Sequence, residues 1–140
     1  MEDGKIRFLV VDDSPTMRRI VINALKNIGY TDIVEAEDGK DALAKLYAER
    51  IDFIITDWNM PNMGGLELTK AVRSDPNFAN IPILMVTTRA MKEDVLEALQ
   101  ARVNNYIVNP FTSPKFKLIS SSVSSISVVA ISVVLVTVSS

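Results

Sequence analysis

Five short apolar runs punctuate the first three-quarters of the chain: Arg7–Val11 ("RFLVV"), Ile33–Ala36, Phe53–Asp57 ("FIITD"), Ile83–Thr88 ("ILMVTT") and Asn105–Val108 ("NYIV"). They are continuously apolar and do not alternate, which is the pattern of strands covered on both faces. Between them lie segments with apolar residues three and four apart. In "SPTMRRIVINALKNIG", Met17, Ile20, Val21, Ala24 and Ile28 recur in that way. Ser14 suits an N-cap there, Pro15 a first helical position and Gly29 a stop. A second helix follows Asp38, with Ala42, Leu43, Leu46 and Tyr47 expected on one face. A third is expected near Leu66–Arg73 and a fourth over Lys92–Ala101. Strand and helix in strict alternation predict a doubly wound α/β domain, with a five-stranded parallel sheet and helices on both faces.

A chain of 140 residues, 48% hydrophobic, suffices for one such core. Fifteen basic against 17 acidic residues give a net charge of −2, without the basic surplus that nucleic-acid binding needs. There is no cysteine and no histidine. Disulfides, thiolate metal sites, Ser-His-Asp catalysis and histidine-ligated zinc are thereby excluded, and any metal must be a hard one held by oxygen. The acidic start "MEDGKIRFLVVDD" lacks the basic opening of an export signal, so a cytoplasmic location is expected.

Chemistry concentrates where strands end. Asp12 and Asp13 follow the first run and Asp57 closes the third. In open α/β sheets, ligands bind beyond the carboxyl ends of strands where the strand order reverses. If the first and third strands are neighbours, the three carboxylates share one cleft, which a cation or a proton must neutralise. An oxygen-liking octahedral ion, Mg²⁺, is the natural occupant. Taken alone, "DDS" before a helix also reads as a capping turn; the separate aspartate with its "DWNMPNMGG" loop weighs against that.

"VVDDSPTMRRIV", "ITDWNMPNMGGLEL", "PILMVTT" and "NNYIVNPFT" together resemble the receiver domain of two-component response regulators, in order and spacing, from Lys5 to Thr112. The likeness is greatest to the single-domain regulators of chemotaxis. It implies that Asp57 is the phosphoacceptor and that Asp12, Asp13, Asp57 and the backbone carbonyl of Asn59 hold Mg²⁺. It implies that Thr87 contacts the phosphoryl group and that Tyr106 is an aromatic switch moving inward with Thr87. Without the resemblance, Tyr106 reads as a half-buried strand aromatic. Trp58, beside Asp57, is expected to be exposed. The implied partners are a sensor histidine kinase and a protein effector such as the flagellar motor switch. An aspartate-nucleophile phosphatase would need an Asp-x-Asp pair, and Asp12-Asp13 and Asp57-Trp58-Asn59 supply none.

Three departures qualify the resemblance. The family places a lysine where this chain has Asn109. Three carboxylates and one Mg²⁺ leave one negative charge that a lysine would cancel, and one charge pair at ~4 Å is worth about 4 kcal/mol at an effective dielectric of ~20. A phosphorylation-independent receiver that binds partners unmodified is the alternative function. Arg89 is a candidate substitute cation, or else a solvated loop residue. Second, Arg102 stands where a helix-ending glycine is expected, at a cost of about 1 kcal/mol if φ is positive. Third, the receiver is expected over residues 1–113 and an atypical Ser/Val-rich segment over 114–140. Phe116, Ile119, Val123, Ile126, Ala130 and Val133 have the spacing of a degenerate closing helix, whereas serine and β-branched residues oppose one. An altered C-terminal reading is a second explanation. A membrane anchor over Leu118–Ser140 is the third, and its serines argue against it.

Overall fold

The computed structural model describes residues 6–87, 91–108 and 118–120. The strands are β1 (Phe8–Val11), β2 (Ile33–Ala36), β3 (Phe53–Thr56), β4 (Ile83–Thr87), β5 (Asn105–Val108) and β6 (Leu118–Ser120). The helices are α1 (Pro15–Asn27), α2 (Gly39–Ala48), α3 (Gly65–Ser74) and α4 (Lys92–Gln100). The sheet order is β2-β1-β3-β4-β5-β6. The first five strands are parallel, as their apolar runs predict, and β6 joins β5 antiparallel. The chain steps from β1 outward to β2 and then returns past β1 to β3, so the order reverses between β1 and β3. That reversal opens the crevice into which both strands deliver their terminal aspartates.

Successive strand residues enter opposite layers. Leu9, Val11, Ile54, Ile83, Met85 and Tyr106 pack in one core with residues of α2, α3 and α4. Phe8, Val10, Phe53, Ile55, Leu84 and Ile107 pack in the other with Val21, Ala24 and Leu25 of α1. The helix ends follow the sequence signals. The Ser14 hydroxyl accepts from the Met17 amide at 3.2 Å, Pro15 occupies the first turn, and Gly29 adopts φ +101°. Asp38 caps α2, accepting from the Asp41 amide at 2.8 Å.

Two expectations are corrected. Tyr47 does not join the buried face of α2; it is 68% exposed, and its hydroxyl donates to Asp75 at 2.7 Å while its ring meets the edge of Phe78. Residues 118–120 are strand and not helix, so Ile119 leaves the helical stripe and stands opposite Tyr106 in an antiparallel ladder. Of the three only β-branched Ile119 has a marked strand preference, so pairing along β5 decides the outcome more than local propensity does. The 113/114 boundary and the rest of the stripe lie outside the described residues. Among the described residues no helix is long and apolar enough to cross a membrane.

Candidate functional site: an acidic cleft between two strand ends

Hydrogen bonds from both neighbouring strands fix the aspartates. The Asp12 amide donates to the Ala36 carbonyl at 3.1 Å, and the Asp57 amide to the Val11 carbonyl at 3.0 Å. With Val11 and Thr56 in register, the chains leave the sheet side by side. Oxygens of Asp12, Asp13 and Asp57 all lie within 4.8 Å of one another. Asp12 is buried, Asp57 half-buried and Asp13 exposed.

Burial and mutual repulsion make this an unfavourable place for three negative charges. The Asp12 carboxyl is pushed up to about 6, first by burial and then by the Asp57 and Asp13 charges, against a hydrogen bond from the Ser14 amide. That bond is 2.9 Å long. Burial also raises Asp57, opposed by hydrogen bonds from the Trp58 amide, the Thr87 hydroxyl and the Asn59 amide. The Trp58 amide lies 2.7 Å from the Asp57 carboxylate. Thr87 at the end of β4 therefore already touches the carboxylate that the resemblance makes the phosphoacceptor. Oxygen donors, anionic excess and partial exposure fit a hard divalent cation.

The loop after β3 keeps the cleft open. A Cβ on Gly65 would stand 1.9 Å from the Asp57 carbonyl oxygen, so only glycine lets α3 begin this close to the strand. Asn62 turns through φ +66° and donates to the Asp38 carboxylate at 2.7 Å. Beyond Asp13 the loop walls a cavity of about 480 Å³ against Trp58, Met60 and Leu66.

Residues 8–120 match the family model of the response regulator receiver domain. The chain belongs to the response regulator receiver family. Chemotaxis protein CheY1 of Helicobacter pylori is 55% identical over 113 residues, covering 80% of this chain and 91% of that protein. Chemotaxis protein CheY of Pseudomonas aeruginosa is 47% identical over 112 residues, covering 80% and 90%. Among solved structures, the chemotaxis response regulator CheY4 of Vibrio cholerae superposes with a TM-score of 0.69 at 40% identity, over 75% of this chain and 87% of that one.

In this receiver, then, the structure brings Asp12, Asp13, Asp57 and Thr87 together. Asn59 contributes its amide to Asp57 while its side chain is exposed. Tyr106 is fully buried, not half-buried. Trp58 is also buried, at 8% exposure, which corrects the expectation of a surface position. Its ring meets that of Tyr106 edge-on, centroids 6.4 Å apart, and so links the loop after β3 to β5. Trp58 keeps the parity of Ile54 and Thr56 and enters the same core layer as Ile54, so the alternation along β3 was the signal for its burial. Asn109 and Arg89 lie outside the described residues. Arg102 does adopt φ +73°, as its place in a glycine position predicts. Sequence reasoning missed Arg18, whose guanidinium donates to the Asp12 carbonyl and to Glu35 on β2 at 2.9 Å. One turn into a helix that starts at the cleft, an arginine was the available signal.

Proposed function

We propose that this receiver is a phosphorylation-dependent switch of a two-component, chemotaxis-type pathway, taking its phosphoryl group on Asp57. The observation that carries the reading is the convergence of three carboxylates within 4.8 Å, with the Thr87 hydroxyl on Asp57. An Asp57 oxygen attacks phosphorus, the bond from phosphorus to the donor's imidazole nitrogen breaks, and that nitrogen keeps the electron pair. The product is an aspartyl phosphate, which water later hydrolyses. Mg²⁺, held by Asp12, Asp13, Asp57 and the Asn59 carbonyl, would offset the negative charge that gathers at this point. Thr87 transfers its hydrogen bond from the carboxylate to a phosphoryl oxygen, and Trp58 and Tyr106 respond because their rings touch. The donor is a sensor histidine kinase, the effector is a protein such as the flagellar motor switch, and the setting is cytoplasmic; the chemotaxis relatives support these assignments.

A second reading is a receiver that binds its partners without phosphate. Tyr106 favours it, since its side chain is at 0% exposure, the inward position that the resemblance assigns to the activated switch. Trp58 is the single tryptophan, and its fluorescence during a Mg²⁺ titration, then on addition of beryllofluoride, separates the two. The switch reading expects saturable responses to both. A response to Mg²⁺ alone rejects switching in favour of constitutive binding. Asn109→Lys should strengthen beryllofluoride-dependent partner binding, and an unchanged response would remove the charge argument.

A further inference from the structure

The most completely engaged polar side chain among the described residues lies at the opposite end of the sheet. Arg73, in the last turn of α3, has five N–H donors on a planar fork. Nε and Nη2 donate to the Arg102 carbonyl at 3.1 and 2.9 Å. Nη1 donates to the Ala79 and Ile81 carbonyls at 2.9 and 2.7 Å. Nη2 also donates to Asn104 Oδ1 at 2.9 Å. The same Asn104 oxygen accepts from the Ile83 amide at 2.6 Å, while the Asn104 amide donates to the Ile83 carbonyl at 2.8 Å. One guanidinium thus ties the end of α3, the loop before β4, the first residue of β4, and the left-handed Arg102 turn that leads into β5.

Those two strands are the ones on which switching depends: β4 ends at Thr87 and β5 carries Tyr106. The clamp grips their starting ends, about 13 Å from Thr87 at ~3.3 Å per residue. With those ends fixed, a displacement of Thr87 cannot be absorbed by β4 sliding along β5 and is passed to the Tyr106 side chain. We propose that Arg73 is a positioning residue for the switch, holding the starts of β4 and β5 together so that events at Asp57 reach Tyr106. This rests on the switch reading above. Its geometry is independent of the acidic cleft.

The test compares the full-length wild type with Arg73→Met and Arg73→Lys, the latter keeping the charge and the aliphatic stem but only three donors. Mg²⁺ affinity, read from Trp58 fluorescence, should stay within about twofold of wild type, because the clamp lies at the far end of the sheet. Amide exchange at Ile83 and Asn104 should quicken about tenfold or more as the local opening becomes easier. The beryllofluoride-induced fluorescence change should fall to less than half, with lysine failing to restore it. Should Arg73→Met not fold, Arg73→Lys carries the comparison alone. Faster exchange with an undiminished beryllofluoride response would make Arg73 structural only and overturn the inference; unchanged exchange would overturn the clamp itself. A wild type that does not respond to beryllofluoride would instead sink the switch reading, and this inference with it.

Discussion

The two ends of the sheet treat buried charge in opposite ways. At the carboxyl end, three carboxylates converge on one another, and both Asp12 and Asp57 are held above the ordinary carboxylate range by burial. At the amino end, a partly buried guanidinium meets five neutral oxygen contacts and spends every donor on them. A buried charge whose hydrogen bonds are complete immobilises what surrounds it, whereas one left unbalanced makes its surroundings sensitive to whatever ligand restores the balance. The same sheet therefore has a fixed end and a responsive end, joined by β4 and β5.

The most damaging single change should come where the responsive end is packed most tightly. Gly65→Ala places a methyl group 1.9 Å from the Asp57 carbonyl oxygen, and both atoms belong to rigid elements, the first turn of α3 and the end of β3. Relief requires moving one of them, at a cost on the order of 3 kcal/mol. Because the displaced carbonyl belongs to Asp57 itself, Mg²⁺ affinity should fall together with the urea midpoint. Loss of stability with Mg²⁺ affinity intact would show that the helix shifts and leaves the cleft alone.

Next in size is the effect of the unbalanced charge. With the folded Asp12 carboxyl at about 6 and its ordinary value at 3.8, the native state holds more protons than the unfolded state between those values. Stability of the metal-free protein should therefore fall as pH rises from about 4 to about 6 and stay low above. Asp57 is shifted in the same direction and adds to this trend. The shift corresponds to about 3 kcal/mol, which screening at the open rim reduces to about 1–2. Asp12→Asn in chelator should accordingly be more stable than wild type at pH 7 and nearly equal to it at pH 4. Saturating Mg²⁺ should reverse the order, since a cation at 100 times its Kd adds about 2.7 kcal/mol to the protein that binds it. A flat pH profile without metal would mean that the carboxylates are already balanced.

The responsive end was far more legible in the sequence than the fixed one, for a physical reason. Strand ends are marked by apolar runs, so the aspartates that close two of them were legible as strand-end residues, and the adjacency of β1 and β3 then brings them into one crevice. Arg73 has no such mark. It occupies an ordinary place after Leu68 and Val72, and its acceptors are backbone carbonyls of loops whose course is set by tertiary packing. Only Asn104 contributes a side chain. Tyr47 was misplaced for a related reason, since an Asp75 partner beyond α3 overrides helical periodicity, whereas Trp58 simply continues the inward parity of Ile54 past the strand end. The segment after Pro114 offered two incompatible patterns at once, and where it is described, over Leu118–Ser120, it pairs as a strand with β5.

The smallest of these effects bears on how well the fixed end is made. Arg102 holds φ +73° although it is not glycine, and its charge adds to the burial that depresses Arg73. Its carbonyl, however, is the one that receives two of the clamp's hydrogen bonds. Arg102→Gly keeps that carbonyl, removes a left-handed strain of about 1 kcal/mol and lifts a repulsion. It also frees the unfolded chain, which takes back about half of the gain or more. The net expectation is a stabilisation of about 0.5 kcal/mol, seen as a higher urea midpoint at unchanged m. Amide exchange at Asn104 should slow slightly in parallel. Destabilisation would mean that the Arg102 side chain itself supports the turn, so that the fixed end depends on two arginines and not on Arg73 alone.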